Sequence, residues 1–423
     1  HGKRSSTPFS LLAIPSTPLQ QRRCAEIYTA HKHPVAQPVW RGERYAHDRL
    51  RIGYFSSDFR EHPVAQLTAG LFECHDRAQF EIYGFSFGPN LQDAMRSRLI
   101  KAFDHFHDVR AESDAAIAEL VRKLEIDIVV DLNGLTAGAR TGIFARRPAP
   151  LQVNYLGYTG TGGAGYMDYL IADATVAPGG HFGAYAEKLV HLPNSFQVND
   201  DQRPVSDKLP TRSEAGLPES GLVFCCFSNS YKITPDVFEV WMRLLQRVEG
   251  SVLWLYEDKP EASANLRREA EKRGVDTHRL VFATRVPELA DHLARYRLAD
   301  VFLDTFYYGA HTTASDALWA GLPVITRQGD TFSSRVAASL LNAIGLPELV
   351  TQSTTDYEAL ALRLATDPAL LAGIRDRLAN YRTSQPLFDT RRSTRDIEAA
   401  YREMADRQKR GERAGHFQVR TSD

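Results

Sequence analysis

From Leu50 onward, short apolar runs alternate with amphipathic segments, the pattern of successive βαβ units around a parallel sheet. The runs at Leu50 to Ser56, Phe80 to Phe87, Ile126 to Leu132, Leu151 to Leu156, Tyr169 to Ala172 and Leu189 to Leu192 predict strands. Between them, Pro63 to Cys74, Asp93 to Phe103 and Asp114 to Leu124 carry helical periodicity. Residues 194–220 interrupt the alternation with Asn199, Asp200, Asp201, Pro204, Pro210, Gly216 and Pro218, a linker composition. A second alternation follows, with strands at Leu222 to Phe227, Ser251 to Tyr256, Leu280 to Ala283, Val301 to Asp304 and Val324 to Thr326. Its helices run through Asp236 to Val248, Glu261 to Arg273, Pro287 to Tyr296, Thr312 to Ala320 and Arg335 to Ile344.

The expected architecture is α/β: an irregular lead-in over 1–46, a first doubly wound, Rossmann-like domain over 47–210, a second over 211–385, and a charged helical tail over 386–423 that crosses back to the first. Such a pair makes a cleft facing the carboxyl ends of both sheets, where open parallel sheets bind ligands. Chemistry is therefore sought just after strands. The pentapeptide His-Pro-Val-Ala-Gln at 33–37 and 62–66 is too short to establish a repeat.

Charge narrows the functional classes. Lys plus Arg number 51 against 52 Asp plus Glu, so no net field favours nucleic acid or an anionic membrane. The four cysteines, Cys24, Cys74, Cys225 and Cys226, form no Cys-x-x-Cys pair, and a reducing cytoplasm fits them. With no apolar run of membrane-spanning length and no signal-like start, a soluble protein is expected.

Three strand ends carry candidate chemistry. After the run at Val301, Gly309 turns the chain into a helix, setting His311, Thr312 and Thr313 where amides and hydroxyls can surround a phosphate at the positive end of a helix. Asp316 shares the face of Thr312 and could take ribose hydroxyls, or could equally be solvated. After Leu222 to Phe227 come Asn229 and Lys232; a lysine there can neutralise a diphosphate as its bond to a sugar breaks, although most lysines so placed are exposed. In the first domain, Pro63 at a helix start sets His62 after a strand, as a base, a donor ligand or a helix cap. Gly-rich loops at 133–138 and 156–165, the latter including Leu156 and Gly157, permit close backbone approach but match neither a dinucleotide fingerprint nor a Walker A loop. They read as acceptor and sugar walls. No Asp-x-Asp, His-Glu-x-x-His or Cys/His cluster with metal-ligand spacing occurs. His31, His33, His105 and His107 are given no role.

At these residues the sequence resembles the O-linked N-acetylglucosamine transferase family, with its bacterial and SPINDLY-like members. The likeness spans 47–410 and rests on Ser-Ser-Asp-Phe-Arg-Glu-His-Pro at 56–63, Arg147 to Gln152, Leu156-Gly-Tyr-Thr-Gly, Met167 to Tyr169, Tyr231-Lys-Ile, Ser251 to Leu255, Leu298 to Asp300, His311-Thr-Thr, Leu318-Trp-Ala-Gly and Ser334 to Ala338. It implies a GT-B glycosyltransferase fold, an inverting mechanism, a UDP-sugar donor and neither metal nor cofactor. It also implies roles: Lys232 at the diphosphate; Asn229 where the family has a donor-touching Gln; Val286, Pro287, His292 and Arg295 at uracil; His311, Thr312 and Thr313 as the phosphate loop; Asp316 at ribose; His62 as the cleft histidine; Tyr308 near the sugar. UDP-N-acetylglucosamine and Ser/Thr-bearing protein or peptide acceptors are the expected partners. The family's tetratricopeptide repeats do not occur in this chain, which is expected to be a fragment or a form with little protein-substrate reach. Competing expectations are a catalytically weak UDP-sugar-binding module, an O-fucosyltransferase using GDP-fucose and a UDP-sugar epimerase; the His-Thr-Thr loop favours UDP-N-acetylglucosamine over GDP-fucose.

Overall fold

The structure, a computed structural model, describes residues 6–420. The first five residues of the expected lead-in and the last three of the tail lie outside the described residues. The chain divides into two compact units, one reaching Asp201 and resuming at Phe388, the other spanning Gln202–Leu387. The division falls inside the 194–220 stretch, at 201/202 rather than at 210/211, because residues 202–210 are tied into the second unit. Arg203 pairs with Asp316, the Ser206 amide donates to Ala290 O, and Arg297 donates to Ser206 O.

The first unit opens with α1 (Pro8–Leu11) and α2 (Pro18–Lys32), the latter started by a reciprocal capping box between Thr17 and Gln20. Then come β1 (Leu50–Ser56), α3 (Pro63–Cys74), β2 (Phe80–Ser86), α4 (Ala94–Ala102), β3 (His105–Asp108), α5 (Asp114–Lys123), β4 (Ile128–Asp131), β5 (Leu151–Asn154), β6 (Tyr169–Asp173) and β7 (Lys188–Leu192). Pro63, Asp93 and Ser113 mark helix starts as their chemistry dictates: a proline already set at helical φ, and two side chains that accept first-turn amides. The central strands β4, β5 and β6 are buried at every position, as strands of a parallel sheet covered on both faces are, whereas the edge strand β3, His-Phe-His-Asp, is partly exposed; Phe55 stacks on Phe85 at 4.5 Å and meets Phe144 edge-on.

The second unit runs β8 (Val223–Cys226), α6 (Pro235–Arg247), β9 (Val252–Tyr256), α7 (Pro260–Lys272), β10 (Leu280–Ala283), α8 (Leu289–Arg295), β11 (Val301–Leu303), α9 (Thr312–Trp319), β12 (Val324–Arg327), α10 (Val336–Ala343), β13 (Val350–Thr351), α11 (Thr354–Thr366) and α12 (Pro368–Ser384). The sequence pattern places the start of α8 at Pro287; the helix begins two residues later, after a non-helical Glu288 cap. In the tail, α13 (Thr390–Lys409) belongs to the first unit: Tyr401 Oη lies 3.1 Å from Tyr54 Oη, and Glu398 pairs with the fully buried His75 at 3.0 Å. Last, β14 (Phe417–Gln418) adds to the edge at β7.

Strand order is β14-β7-β6-β5-β4-β1-β2-β3 in the first unit and β10-β9-β8-β11-β12-β13 in the second, each pairing parallel. Both orders reverse beside the first strand, between β1 and β4 and between β8 and β11. Adjacent crossovers leave in opposite directions there, so a crevice opens outside the strands' carboxyl ends. The places singled out by sequence, His62 and the glycine-rich loop at 133–138 in one unit and Asn229, Lys232 and His311 to Asp316 in the other, follow these strands.

Candidate functional site

In the second unit, β8 ends in a short turn, Ser230–Lys232, before Pro235 starts α6. The turn directs the Lys232 ammonium at the β11–α9 loop, where it donates to Gly309 O at 3.0 Å and sits 3.8 Å from the centre of the Tyr308 ring. The ammonium is enclosed, which overturns the exposed reading of this lysine. Burial pulls its pKa down to about 8, against the attraction of Asp304. Asn229 is exposed beside it.

The loop facing the lysine is held from within. Asp304, 1% exposed, accepts the amides of Thr305 (2.7 Å) and Ala310 (2.6 Å) on Oδ1 and the Thr326 hydroxyl (2.7 Å) on Oδ2. His311 donates from Nε2 to Ser333 O at 2.9 Å, and burial pushes its pKa down to about 3, so the ring is neutral with its proton on Nε2. His311 stands at the N-cap of α9 but its side chain makes no capping bond, which leaves the first turn, with Thr312 and Thr313, uncapped by a side chain. Such an end favours an anion.

On the same helix Asp316 is buried rather than solvated. Its Oδ1 accepts from Arg203 Nη1 at 2.6 Å, and Arg203 O in turn accepts from Trp319 Nε1 at 3.1 Å. Burial raises the carboxyl's pKa, with Arg203 opposing.

His292 and Arg295 of α8 converge on Phe227. The guanidinium lies 4.4 Å from that ring's centre, and the His292 ring is 6.1 Å from it and 5.3 Å from Tyr296. Burial pushes His292 down to about 3, with Arg295 adding to the effect. Arg295 donates to Thr284 O at 2.7 Å, gripping the loop that carries Val286 and Pro287, yet its Nε and Nη2 have no partner; neither have the buried Tyr296 Oη and Trp254 Nε1. Buried donors left open are costly. The four surround the Phe227 ring, each closed off from solvent.

In the first unit, His62 caps α3: Nδ1 accepts the Val64 amide at 3.3 Å, and Nε2 is 3.7 Å from Asp58 Oδ1. Burial lowers its pKa while Asp58 raises it. Asn133 joins the ends of β1 and β4, accepting the Ser57 amide at 2.8 Å and donating to Ser57 Oγ at 2.8 Å and Asp58 Oδ2 at 3.0 Å. Asp131 accepts the amides of Asn133 and Gly134, and burial raises its pKa to about 6. Leu156 has φ +65°, a strained angle for a branched residue, closed by Gly157 N donating to Tyr155 O at 2.8 Å. A Cβ at Gly157 would overlap Leu132 O, so glycine is required there.

The structure thus gathers Lys232, Tyr308, His311 and the start of α9 into one cluster, and His292 and Arg295 into a second, all within one unit. His62, Leu156 and Gly157 lie in the other unit. Sequence reasoning missed Arg203, Asp304, Trp254, Tyr296, Asp58, Asn133 and Asp131. Asp304 had a legible signal, an acidic residue closing an apolar strand; Arg203 sat inside a stretch read as linker. Among the described residues no group of three or more His, Cys, Asp or Glu side chains is arranged to hold a metal ion, and no helix is long and apolar enough to cross a membrane.

The model of glycosyl transferase family 41 matches residues 23–208 and 201–397. The chain is 38% identical over 438 residues to the probable UDP-N-acetylglucosamine–peptide N-acetylglucosaminyltransferase SEC of Arabidopsis thaliana, covering 99% of this chain and 44% of the relative. It is 30% identical to the UDP-N-acetylglucosamine–peptide N-acetylglucosaminyltransferase of Caenorhabditis elegans, covering 87% and 42%. It therefore spans less than half the length of these curated relatives. A mutant of the Thermobaculum terrenum O-GlcNAc transferase superposes with a TM-score of 0.86 at 35% identity, covering 96% of this chain and 77% of that one. Sucrose-phosphate synthase from Thermosynechococcus elongatus, at 14% identity and TM-score 0.55 over 84% of this chain and 99% of that one, shares the GT-B fold.

Proposed function

Because this chain belongs to glycosyl transferase family 41, we propose that it is an inverting, UDP-N-acetylglucosamine-dependent protein O-glycosyltransferase acting on Ser or Thr hydroxyls. One observation carries the reading: the second unit's switch point joins an enclosed ammonium, Lys232, to the uncapped start of α9, with the buried carboxylate of Asp316 on the same helix. These features match diphosphate and ribose. His292 and Arg295, with Val286 and Pro287 in the loop that Arg295 grips, stand where the family resemblance puts the uracil. The names of the relatives support the donor and the peptide acceptor.

In the transfer, the acceptor oxygen bonds to the anomeric carbon as the bond to the diphosphate breaks, the hydroxyl's proton leaves to water, and negative charge grows on the departing UDP. Lys232 and the α9 amides are preorganised for that charge, so they act most strongly in the transition state. They supply what a divalent cation supplies elsewhere. Full activity is expected in EDTA, and a strict divalent-cation requirement would overturn the phosphate-site assignment. His62, whose Nδ1 already accepts the Val64 amide, carries its proton on Nε2 when neutral and serves as cap and positioning group rather than as base. The four free cysteines support a cytoplasmic location.

The deciding experiment incubates the protein with UDP-N-acetylglucosamine, in parallel with GDP-fucose, with and without an acceptor protein. Acceptor-dependent UDP release with a matching gain in acceptor mass is expected. UDP binding without transfer would make the chain a binding module, acceptor-independent conversion of the sugar an epimerase, and transfer only from GDP-fucose a fucosyltransferase.

A further inference from the structure

The mechanism uses Lys232 but leaves open why a lysine whose ammonium is enclosed should stay charged and aimed. Asp304 answers both requirements. It stands where β11 ends, in the crevice beside β8, and its three accepted hydrogen bonds come from both ends of the 304–310 loop and from β12. Closing Thr305 N and Ala310 N on one oxygen turns Gly309 O toward the lysine, 3.0 Å from Nζ. A Cβ at Gly309 would stand 3.0 Å from Asp304 Oδ2 and 3.4 Å from Ser333 O, so loop and carboxylate are in close contact. From the far side, Tyr357 of α11 donates to Asp304 O at 3.0 Å.

On this basis, and resting on the donor-site reading above, we propose that Asp304 is a positioning residue for Lys232, holding the ammonium on the Gly309 carbonyl and keeping it protonated through its own negative charge. The groups facing the lysine are Asp304 from β11, the Cys226 thiol from β8, the neutral His311 at the start of α9 and the ring of Tyr308. Those facing Asp304 besides the lysine are Thr326 of β12, Tyr357 of α11 and the Cys226 thiol of β8. Attraction runs both ways between Lys232 and Asp304, and burial opposes ionisation of each.

The separating substitution is Asp304→Asn. Its carbonyl can still accept both loop amides, and its amide can donate to the Thr326 hydroxyl, so shape survives while charge is lost. The readout is UDP affinity from about pH 7 to about pH 9, below loss of the uracil N3 proton, by calorimetric titration of the whole chain, which needs no acceptor. If only the charged lysine grips diphosphate, affinity falls tenfold per pH unit above the lysine's pKa. Removing the carboxylate charge should move that alkaline limb down by about 1 pH unit. Lys232→Arg, which does not lose its proton in this range, should abolish the limb and make Asp304→Asn silent on it. Thr326→Val removes one support of the loop and leaves the charge, so its limb should coincide with wild type.

The inference is overturned if Asp304→Asn keeps the wild-type limb, if the limb survives in Lys232→Arg, or if Thr326→Val moves it as Asp304→Asn is expected to. The last two arms decide even if Asp304→Asn does not fold. Failure of the wild-type protein to bind UDP at any pH would instead strike the donor-site reading itself.

Discussion

Asp131 and Asp304 occupy equivalent places in the two units. Each closes the strand beside its unit's first strand, β4 beside β1 and β11 beside β8, and each accepts two amides of the loop that follows. Burial raises both carboxyls to about 6. They differ in what faces them. The charge of Asp131 is answered by amides alone, and Asn133 next to it links on to Ser57 and to Asp58, which pairs with Arg60. Asp304 faces the ammonium of Lys232. The same loop-closing device therefore makes a polar network in one unit and an anion-ready site in the other, and a single lysine makes the difference.

The comparison breaks most sharply at that lysine. Lys232→Ala should lower turnover by about 10² to 10³ while the protein stays folded and still binds UDP through Asp316 and the His292–Arg295 segment. Single-turnover measurements at saturating donor check this. Near-normal turnover would return Lys232 to a structural role and remove the distinction between the units.

Asp131 tests the other side. Its native pKa, about 6, lies above the ordinary 3.8, so between those values the native protein keeps a proton that the unfolded chain releases. Stability from this group is full below about pH 4 and is lost as pH rises through about 6. Asp131→Asn, which can still accept both amides, should therefore raise unfolding free energy at pH 8 by about 2 kcal/mol, with the gain gone near pH 4. Denaturant titrations at the two pH values decide it; an equal effect at both would mean that packing rather than ionisation is responsible.

How far the sequence reveals this contrast can be traced residue by residue. The alternation of apolar runs and amphipathic stretches locates both sheets, and prolines and caps at Pro63, Asp93 and Ser113 bound the helices closely. Lys232, His311 and Asp316 are legible because they follow strands. Arg203 is not, because a buried partner of Asp316 inside a Pro-bearing polar stretch looks like linker until the chain is folded. The helices α11 and α12 go unread although Ser353 offers a cap and Tyr357, Ala361 and Leu364 a buried face, and Tyr357 proves to brace the backbone of Asp304. The open donors on Arg295, Tyr296 and Trp254 exist only in three dimensions, since an unpartnered atom has no sequence signature.

The smallest expected effect belongs to His62, and it decides whether the first unit contributes a proton acceptor or only a wall. Its Nδ1 accepts the Val64 amide over 3.3 Å, a long bond at the start of α3, so losing it in His62→Ala should cost up to about 1 kcal/mol of stability. Turnover should fall by less than tenfold, because neither Lys232 nor the start of α9 changes. His62→Asn supplies the discriminating partner: its side-chain oxygen can take the same amide, while it cannot accept a proton near neutral pH. If His62 is a cap and positioning group, Asn should recover both the stability and most of the turnover lost in Ala. Were both variants to abolish turnover while binding UDP normally, Nδ1 would have to leave the Val64 amide during catalysis, and His62 would be the base.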